Sequence, residues 1–245
     1  MKIDSDLIKY LKGDIFSNTQ SFQIRRERHP DRSREAAIIE IIKGHSVIHV
    51  GCADHLPLIE EKIRTNRWLH KLITDASSGC IGIDIDKEAI TYIRDKLGIK
   101  NVIPGDILND NLDEINREKW DYVVFGEIIE HLDNPVEFLR IFKNKYGDTV
   151  KKFIITVPSI FNLSQIRNIR KYREVINTDH RFWFTPYTIL KVLVRSGYSP
   201  EKILYSNRVK LSLPALMIRK IRIISGCRVN YPYYYFNTMV VTGNV

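Results

Sequence analysis

The stretch from Trp120 to Pro135 reads WDYVVFGEIIEHLDNP and predicts both a central strand and the place of a functional site. Its apolar run from Tyr122 to Phe125 is typical of a strand that is buried on both faces, as in a parallel sheet. The run breaks at Gly126, and a cluster of ionisable residues follows. That cluster comprises Glu127, Glu130, His131 and Asp133. Because open α/β sheets bind ligands beyond the carboxyl ends of their strands, the cluster marks a candidate site.

A predicted helix follows the cluster directly. Asn134 is a favourable N-cap residue, and Pro135 suits the first position of a helix. Glu137 is placed to reach back to the cap and complete a capping box. The stretch therefore predicts a strand, a polar turn and a helix in succession, which is the repeating unit of α/β folds.

Short apolar runs and helical patterns alternate along the first two thirds of the chain. Predicted strands cover 46–50, 80–85, 101–103, 122–125 and 152–157, and helical patterns cover 33–43, 56 to about 71, and 87–97. This alternation indicates a doubly wound, mostly parallel α/β sheet. Two further strands, near 202–209 and 234–242, bring the predicted sheet to seven strands.

The chain is predicted to form one main domain with an additional N-terminal element. Residues 1–32 are polar and predict a helical cap or lid, whereas residues 33–245 are predicted to form the main domain. Two segments, at about 159–184 and 211–233, are predicted to be inserted into that domain. The N-terminal element carries a cluster of basic residues at Arg25, Arg26, Arg28, His29 and Arg32.

The predicted insertions differ in character. Residues 160–176 have a helical and basic pattern, and 179–184 form a polar-aromatic loop. Thr185 and Pro186 then open a further predicted helix, which Gly197 ends. Before the last strand, Leu213 to Ile224 is apolar and basic, which is typical of an amphipathic helix lying on a membrane surface.

Composition favours a reduced compartment and anionic partners. The 245 residues carry a net charge of +9 and a pI of about 9.4, which favours nucleic acid, anionic lipid or phosphorylated substrates, although a basic surface alone would look the same. The three cysteines are far apart, which predicts free thiols. No signal peptide or membrane span is predicted, so we expect a cytoplasmic protein, with peripheral contact at the inner face of the membrane as an option.

Three predicted strands precede the central strand in sequence, and a glycine or an acidic residue stands at or just after the end of each. Gly51 opens a strand–turn–helix unit that could present backbone N–H groups to a ligand. Asp84 ends the second strand, where a carboxylate can accept from both ribose hydroxyls, and Asp106 could accept from an adenine amino group while the Ile107 N–H meets a ring nitrogen. Taken singly, Asp84 is equally well explained as a helix cap and Asp106 as a turn residue. Their succession at strand ends favours a nucleotide-type cofactor.

These features resemble class I S-adenosylmethionine-dependent methyltransferases. The resemblance is closest to the small O-methyltransferase branch that includes ubiquinone-biosynthesis and small-RNA 2′-O-methyltransferases. It covers about 34–200 and rests on Ile83 to Ile85, Gly105 to Ile107, Glu127 to Pro135 and His180 to Pro186. The resemblance implies the Rossmann-like methyltransferase fold and S-adenosylmethionine as the cofactor.

The same resemblance implies a role for each matching residue. Gly51 and Ala53 would line the methionine part of the cofactor, Asp84 would hold its ribose, and Asp106 with Ile107 would hold its adenine. Gly126 with Glu127 would lie beside the methionine end, and Ile85 would also belong to the cofactor site. The first motif departs from the family, which usually has an acidic residue two before the first glycine and another glycine two after it. This chain has His49 and Ala53 at those positions.

Two chemistries are open for the reacting site. His131 and His180 are candidate general bases for an acceptor hydroxyl, because an imidazole titrates near neutrality. Alternatively, Glu127, Glu130 and His131 follow the i, i+3, i+4 spacing of one helical face, and His180 could complete a site for Mg²⁺ or another divalent metal. In the related branches the equivalent residues are metal ligands.

Several functions remain open at this stage. The leading hypothesis is O-methylation of a small molecule or of a sugar hydroxyl in a surface glycan, as in bacterial polysaccharide biosynthesis. Net charge favours an RNA methyltransferase, but no RNA-binding module is recognisable. The missing Gly-x-Gly-x-x-Gly argues against a nicotinamide-dependent oxidoreductase on a similar sheet. The last alternative is a membrane-associated protein without catalytic activity.

Overall fold

The structure is a computed structural model that describes residues 3, 5–24, 32–54, 56–209, 217 and 233–245. Seven strands form one sheet in the order β3-β2-β1-β4-β5-β7-β6. The strands are β1 (Ser46–Val50), β2 (Gly79–Asp84), β3 (Val102–Pro104), β4 (Trp120–Gly126), β5 (Val150–Pro158), β6 (Ser199–Arg208) and β7 (Phe236–Asn244). Only β7 runs antiparallel to its neighbours, so the predicted doubly wound, mostly parallel sheet is confirmed.

Nine α-helices among the described residues cover the sheet. They are α1 (Ser5–Lys12), α2 (Arg34–Ile42), α3 (Leu56–Arg64), α4 (Leu69–Ala76), α5 (Lys87–Asp95), α6 (Asp113–Asn116), α7 (Pro135–Tyr146), α8 (Leu163–Ile169) and α9 (Pro186–Arg195). The apolar runs of β4 and β5 are buried between helical layers, as the continuous hydrophobic pattern predicted. None of the helices in the described part of the chain is both long and apolar enough to cross a bilayer.

Capping residues set the predicted helix starts. The Asn134 side chain accepts from the Glu137 N–H at 3.1 Å, and Pro135 occupies the first helical position of α7. The Glu137 carboxylate pairs with Arg140 instead of completing a capping box, so that detail of the prediction is wrong. Thr185 and Thr188 form a reciprocal capping box at the start of α9.

The helical pattern predicted to run to about residue 71 is interrupted in the structure. The chain turns at Asn66, which has a φ of 52°, so that α3 and α4 are separate helices. Trp68 lies in the turn, almost fully buried, and its indole N–H donates to the Cys52 carbonyl at 3.2 Å. Burial of the indole therefore explains the break that periodicity did not predict.

The predicted helix over 160–176 is also much shorter than expected. Only α8 is helical, and the chain then reverses, with Tyr172 at a φ of 55° and the Arg173 N–H donating to the Asn168 carbonyl at 3.0 Å. The Gln165 side chain holds the returning segment by donating to the Val175 carbonyl at 2.7 Å. This side-chain contact replaces the helical hydrogen bonds that the pattern implied.

The N-terminal helix α1 packs against α9. Leu7 and Leu11 of α1 join the main core, and α1 contacts α9. The Lys191 ammonium donates to the Tyr10 carbonyl at 2.7 Å, which fastens the two helices together. Of the basic cluster predicted in the N-terminal element, only Arg32 belongs to the described residues. The predicted segment 213–224 also lies outside them, except for Met217.

Candidate functional site

The turn between β1 and α3 requires glycine at its first position. Gly51 has a φ of 71°, and a Cβ atom there would lie 2.7 Å from the Ile128 Cδ1 atom. The Gly51 N–H donates to the Ile83 carbonyl at 2.8 Å, which holds the turn against β2. The tight turn leaves space at the carboxyl ends of β1 and β4, where the sequence predicted the site.

Ala53 has a structural place in this turn. Its side chain is buried in the core, and its N–H donates to the Asp84 Oδ2 atom at 2.9 Å. The other carboxylate oxygen of Asp84 accepts from the Asp86 N–H at 3.0 Å. Asp84 thus fixes the first turn and also lines both cavities, as does Ile85, whose side chain is 73% exposed.

The loop after β3 positions Asp106 and leaves one backbone donor available. The Asp106 Oδ1 atom accepts from the Leu108 N–H at 2.9 Å. Burial alone would raise the pKa of Asp106, but hydrogen bonds from Asn109 and from the loop backbone lower it, so the carboxylate stays charged. The Ile107 N–H meets no acceptor among the described residues, and its side chain is buried. This pairing of an acceptor with a free donor suits the edge of a purine.

Two connected cavities run along this edge of the sheet. The smaller, of about 420 Å³, is lined by Asp84, Asp106, Ile107 and apolar side chains such as Phe138. The larger, of about 650 Å³, is more polar and includes His49, His131 and His180. Gly51, Asp84, Ile85, Glu127, Ile128 and His131 line both. Their volumes are those of small-molecule sites, and their lining changes from apolar to polar along the length.

Glu127 follows β4 in a backbone conformation that is rare for residues other than glycine. Its φ is 57°, and its N–H donates to the Thr156 carbonyl at 3.0 Å and to the Thr156 hydroxyl at 3.1 Å. Its carboxylate pairs with Arg34, with 2.5 Å between the Oε2 and Nη1 atoms. Strained backbone that is held by such contacts is typical of ligand sites. Gly126, directly before it, also lines the larger cavity.

Glu130, His131 and His180 come together beside the larger cavity. One ligand atom from each of them lies within 4.8 Å of the others, and the two imidazole rings are 4.7 Å apart between centroids. Glu130 and His131 belong to a 3-10 turn, Ile129–His131, which Glu127 precedes. The predicted single helical face is therefore wrong for Glu127, whereas the other three residues meet as predicted.

The Glu130 carboxylate is buried and unsatisfied. The side chain is fully buried, and neither carboxylate oxygen has a hydrogen-bond partner in the described structure. Burial raises the pKa of Glu130 to about 8, and the nearby Glu127 carboxylate acts in the same direction. The Nδ1 atom of His180 is also buried without a partner. Burial, followed by the nearby His131, lowers the pKa of His180, so this imidazole is favoured in its neutral, ligand-competent form.

Backbone contacts bring His180 to a turn that is fifty residues away. The N–H groups of Arg181 and Phe182 donate to the Glu130 carbonyl at 2.8 and 3.3 Å. The Arg181 guanidinium also pairs with Asp133. The polar-aromatic loop predicted at 179–184 therefore forms one wall of the site, with its backbone bonded to the cluster after β4.

His49, the departure in the first motif, is a buried neighbour of a second histidine. Its Nδ1 atom lies 3.3 Å from the Nδ1 atom of His70. Burial and then the neighbouring His70 lower the pKa of His49 well below its usual range, and burial lowers that of His70 to about 4. Both rings are therefore neutral near pH 7, and His49 lines the larger cavity.

Arg34 is the site residue that sequence reasoning missed. It opens α2, its side chain is 13% exposed, and its backbone N–H donates to the Asn207 side chain at 2.9 Å. Burial alone would lower the pKa of Arg34, but the carboxylates of Glu127 and Glu35 raise it. A cation at the first position of a helix, where a positive charge is unfavourable, was the available signal.

Comparison with known proteins identifies relatives by structure only. No protein-family model matches the chain, and no curated protein matches it in sequence. The small RNA methyltransferase HEN1 is similar in structure, with a TM-score of 0.53 and 16% identity, over 92% of this chain and 27% of the HEN1 chain. This chain thus spans about a quarter of that protein.

Two further solved structures are similar over most of their own length. Magnesium protoporphyrin IX methyltransferase from Synechocystis, solved with bound SAH, has a TM-score of 0.50 and 12% identity, over 86% of this chain and 81% of that one. A putative methyltransferase from Bacillus halodurans has a TM-score of 0.50 and 11% identity, over 86% of this chain and 98% of that one. At these identities the likeness establishes a shared fold.

Proposed function

Because the chain has the fold of the class I S-adenosylmethionine-dependent methyltransferases, we propose that it methylates a hydroxyl of a small molecule or glycan. The observation that carries this proposal is the meeting of two sets of groups along one pair of connected cavities. Carboxylates suited to a nucleoside end the strands of the first half, and Glu130, His131 and His180 gather at the polar end. A methyl donor and an activated acceptor would meet at their junction.

The smaller cavity suits the nucleoside of S-adenosylmethionine. Asp106 and the free Ile107 N–H supply one acceptor and one donor for adenine, and apolar side chains such as Phe138 cover its faces. Asp84 keeps lone pairs for ribose hydroxyls beyond those used in the turn. Gly51 and Gly126 leave room where the methionine would pass between the cavities.

A divalent metal suits the cluster at the polar end. A buried carboxylate without any hydrogen-bond partner costs several kcal/mol unless a cation or a proton compensates it, on the order of the values known for buried charges. One carboxylate and two imidazoles suit Zn²⁺, Mn²⁺ or Mg²⁺, with Glu127 as a further ligand once it leaves Arg34. Such a cation orients an acceptor hydroxyl and lowers its pKa.

The transfer itself requires positioning more than covalent chemistry from the protein. The acceptor oxygen attacks the methyl carbon of the sulfonium in line, the carbon–sulfur bond breaks, and the acceptor loses its proton. If no metal is bound, His131 or His180 is the base that takes this proton. A bound metal would instead be held by these imidazoles with Glu130 and would supply Lewis acidity toward the acceptor hydroxyl.

Calorimetric titration tests the cofactor. S-adenosylhomocysteine should bind the intact protein, and Asp84→Asn should weaken binding at least tenfold, because about 1.4 kcal/mol is lost with a ribose hydrogen bond. Asp75→Asn is the matched control, since Asp75 is an exposed carboxylate that pairs with Lys71 on α4. Equal S-adenosylhomocysteine binding by both variants would show that its nucleoside does not bind at Asp84.

Manganese titration followed by electron paramagnetic resonance tests the metal. Glu130→Gln and His180→Ala should each weaken Mn²⁺ binding by on the order of tenfold or more, whereas His45→Ala, at an exposed histidine, should not. Retention of tight Mn²⁺ binding by Glu130→Gln would show that the metal binds without Glu130, which would remove this metal site from the proposal and leave the imidazoles as bases.

Transfer of a labelled methyl group identifies the acceptor class. Proteins with this fold include a small RNA methyltransferase and a magnesium protoporphyrin IX methyltransferase, so the fold admits acceptors of very different size. Sugars, quinols and short RNA should be assayed with and without Mg²⁺. Label in the sugar or small-molecule samples supports the proposal, and label in RNA alone would replace it with RNA methylation.

A further inference from the structure

An unusual surface lies on the insertion between β5 and α9. Residues 167–176, here called the projecting loop, read RNIRKYREVI. From Ile169 to Ile176 every residue of the loop is exposed, including four large apolar side chains. Their exposed fractions are 61% for Ile169, 100% for Tyr172, 48% for Val175 and 39% for Ile176. Apolar groups clustered in this way on a folded surface mark a contact with something else.

The same loop concentrates positive charge. It carries Arg167, Arg170, Lys171 and Arg173 against the single acid Glu174. None of these cations forms an ion pair with any residue that the structure describes. The cations are therefore available to an anionic partner next to exposed apolar groups.

The loop is held in shape although it is exposed. Gln165, which is buried, donates to the Val175 carbonyl, and Tyr172 keeps its left-handed backbone through the turn after α8. The Lys171 N–H donates to the Asn168 carbonyl at 2.8 Å, which closes that turn. Presenting Tyr172 fully to solvent is therefore a property of the fold at this point.

We propose that the projecting loop binds the surface of an anionic phospholipid membrane. Cations at an anionic bilayer gain electrostatic free energy, while short apolar side chains and tyrosine enter the interface. Single-stranded RNA would instead favour a row of aromatic stacking platforms, and three of the four apolar side chains here are aliphatic. A second copy of the chain would bring two sets of like charges together.

The position of the loop gives this contact a consequence. Asn177, Asp179 and His180 follow the loop directly and line the larger cavity. A membrane bound by the loop therefore lies beside the entrance to that cavity. Membrane binding itself does not depend on the proposed methyl transfer, and it can be measured without cofactor or acceptor.

Flotation with lipid vesicles tests the charge contribution. The full-length protein should float with vesicles of phosphatidylcholine and phosphatidylglycerol, and not with phosphatidylcholine alone. Arg167→Gln with Arg170→Gln and Arg173→Gln should reduce binding on the order of 100-fold, at about fivefold per cation. The matched control removes the same charge from α5 and its C-cap as Lys87→Gln with Arg94→Gln and Lys96→Gln, and should retain binding within about threefold.

A second variant tests the apolar contribution. Ile169→Ser with Tyr172→Ser should lose binding in high salt, where the cations are screened and apolar contact is needed. Thermal unfolding should be nearly unchanged, because both side chains are exposed. Equal losses in the loop and α5 charge variants would overturn the proposal, as would equal binding to neutral vesicles. Loop-dependent binding to an RNA oligonucleotide that exceeds binding to the vesicles would replace the lipid with nucleic acid.

Discussion

The Arg34 guanidinium and the Glu127 carboxylate form an ion pair across the mouth of the site, at 2.5 Å between the Nη1 and Oε2 atoms. The pair joins the start of α2 to the end of β4, and it engages Glu127, the carboxylate proposed as a further metal ligand beside Glu130, His131 and His180. Arg34 therefore competes with a cation for the same carboxylate.

Removing the Arg34 guanidinium should increase the affinity of the site for a divalent cation such as Mn²⁺. Arg34→Met keeps the length of the side chain and frees Glu127, so we expect Mn²⁺ to bind roughly three- to tenfold more tightly in the absence of cofactor, as expected when one competing charge is lost. Titration followed by electron paramagnetic resonance measures this change. Arg67→Met, at an exposed arginine, is the control, and weaker Mn²⁺ binding by Arg34→Met would show that Arg34 supports the metal site.

The buried histidine pair should make stability depend on pH. Burial lowers the pKa of His70 to about 4 in the folded chain, against about 6.5 when unfolded. The unfolded state thus binds more protons between these values, and the free energy of unfolding should fall as pH falls through this window. We expect a loss of about 1.4 kcal/mol per pH unit for this group, with His49 adding to it.

Urea unfolding between pH 4 and 8 measures this dependence. His70→Gln removes the titrating group, so its profile should be flatter below pH 6.5 even if the variant is less stable overall. His45→Gln changes an exposed histidine and should keep the slope of the parent protein. Parallel profiles for the parent and His70→Gln would exclude His70 as the source of the acid sensitivity.

Gly51→Ala adds only one methyl group, but it should lower both the stability of the protein and its affinity for S-adenosylhomocysteine. The φ of 71° is unfavourable for alanine, and the new Cβ would press on Ile128, so we expect a loss of about 1–2 kcal/mol in stability. S-adenosylhomocysteine binding should fall as well, because the turn lines both cavities. Gly79→Ala, where a Cβ meets open space at ordinary φ, should stay within about 0.5 kcal/mol of the parent.

Much of the fold followed from local signals. Asn134 with Pro135, and Thr185 with Pro186, are caps whose effect depends on the next three residues, so the starts of α7 and α9 were predictable. The strands before the site followed from their apolar runs. Asp84 and Asp106 lie beside the cavities because the carboxyl ends of parallel strands share one edge of the sheet.

What could not be predicted depends on contacts between distant residues. The Arg34–Glu127 pair joins residues that are far apart in sequence. The approach of His180 was expected only through the family resemblance, and the backbone hydrogen bonds to Glu130 that bring it there have no local signal. The shortened α8 depends on one side chain, Gln165, that captures the Val175 carbonyl. Periodicity reports the local preference of a segment and carries no information about such partners.

Loss of a cap should loosen the wall of the site. Thr185→Ala removes the hydroxyl that accepts from the Thr188 N–H at the start of α9, one half of the capping box, so we expect a loss of about 1 kcal/mol in the free energy of unfolding. Hydrogen exchange should also rise in residues 180–184, which precede the cap. Thr91→Ala within α5 is the control, because its hydroxyl bonds only the preceding turn. Unchanged hydrogen exchange at 180–184 would show that the Thr185 cap does not hold this wall of the site in place.

The pairing of β1 with β4 has a consequence for how the chain folds. Val47 lies opposite Tyr122, so pairing the two central strands closes a loop that contains β2 and β3, which lie on the other side of β1. Closing such a long loop is slow, because the conformational entropy of the loop is lost before the stabilising contacts between the two strands form. Gly51 and Glu127 stand at the ends of these two strands. During refolding, affinity for ligands should therefore arise in the last kinetic phase, after most of the helical signal has returned.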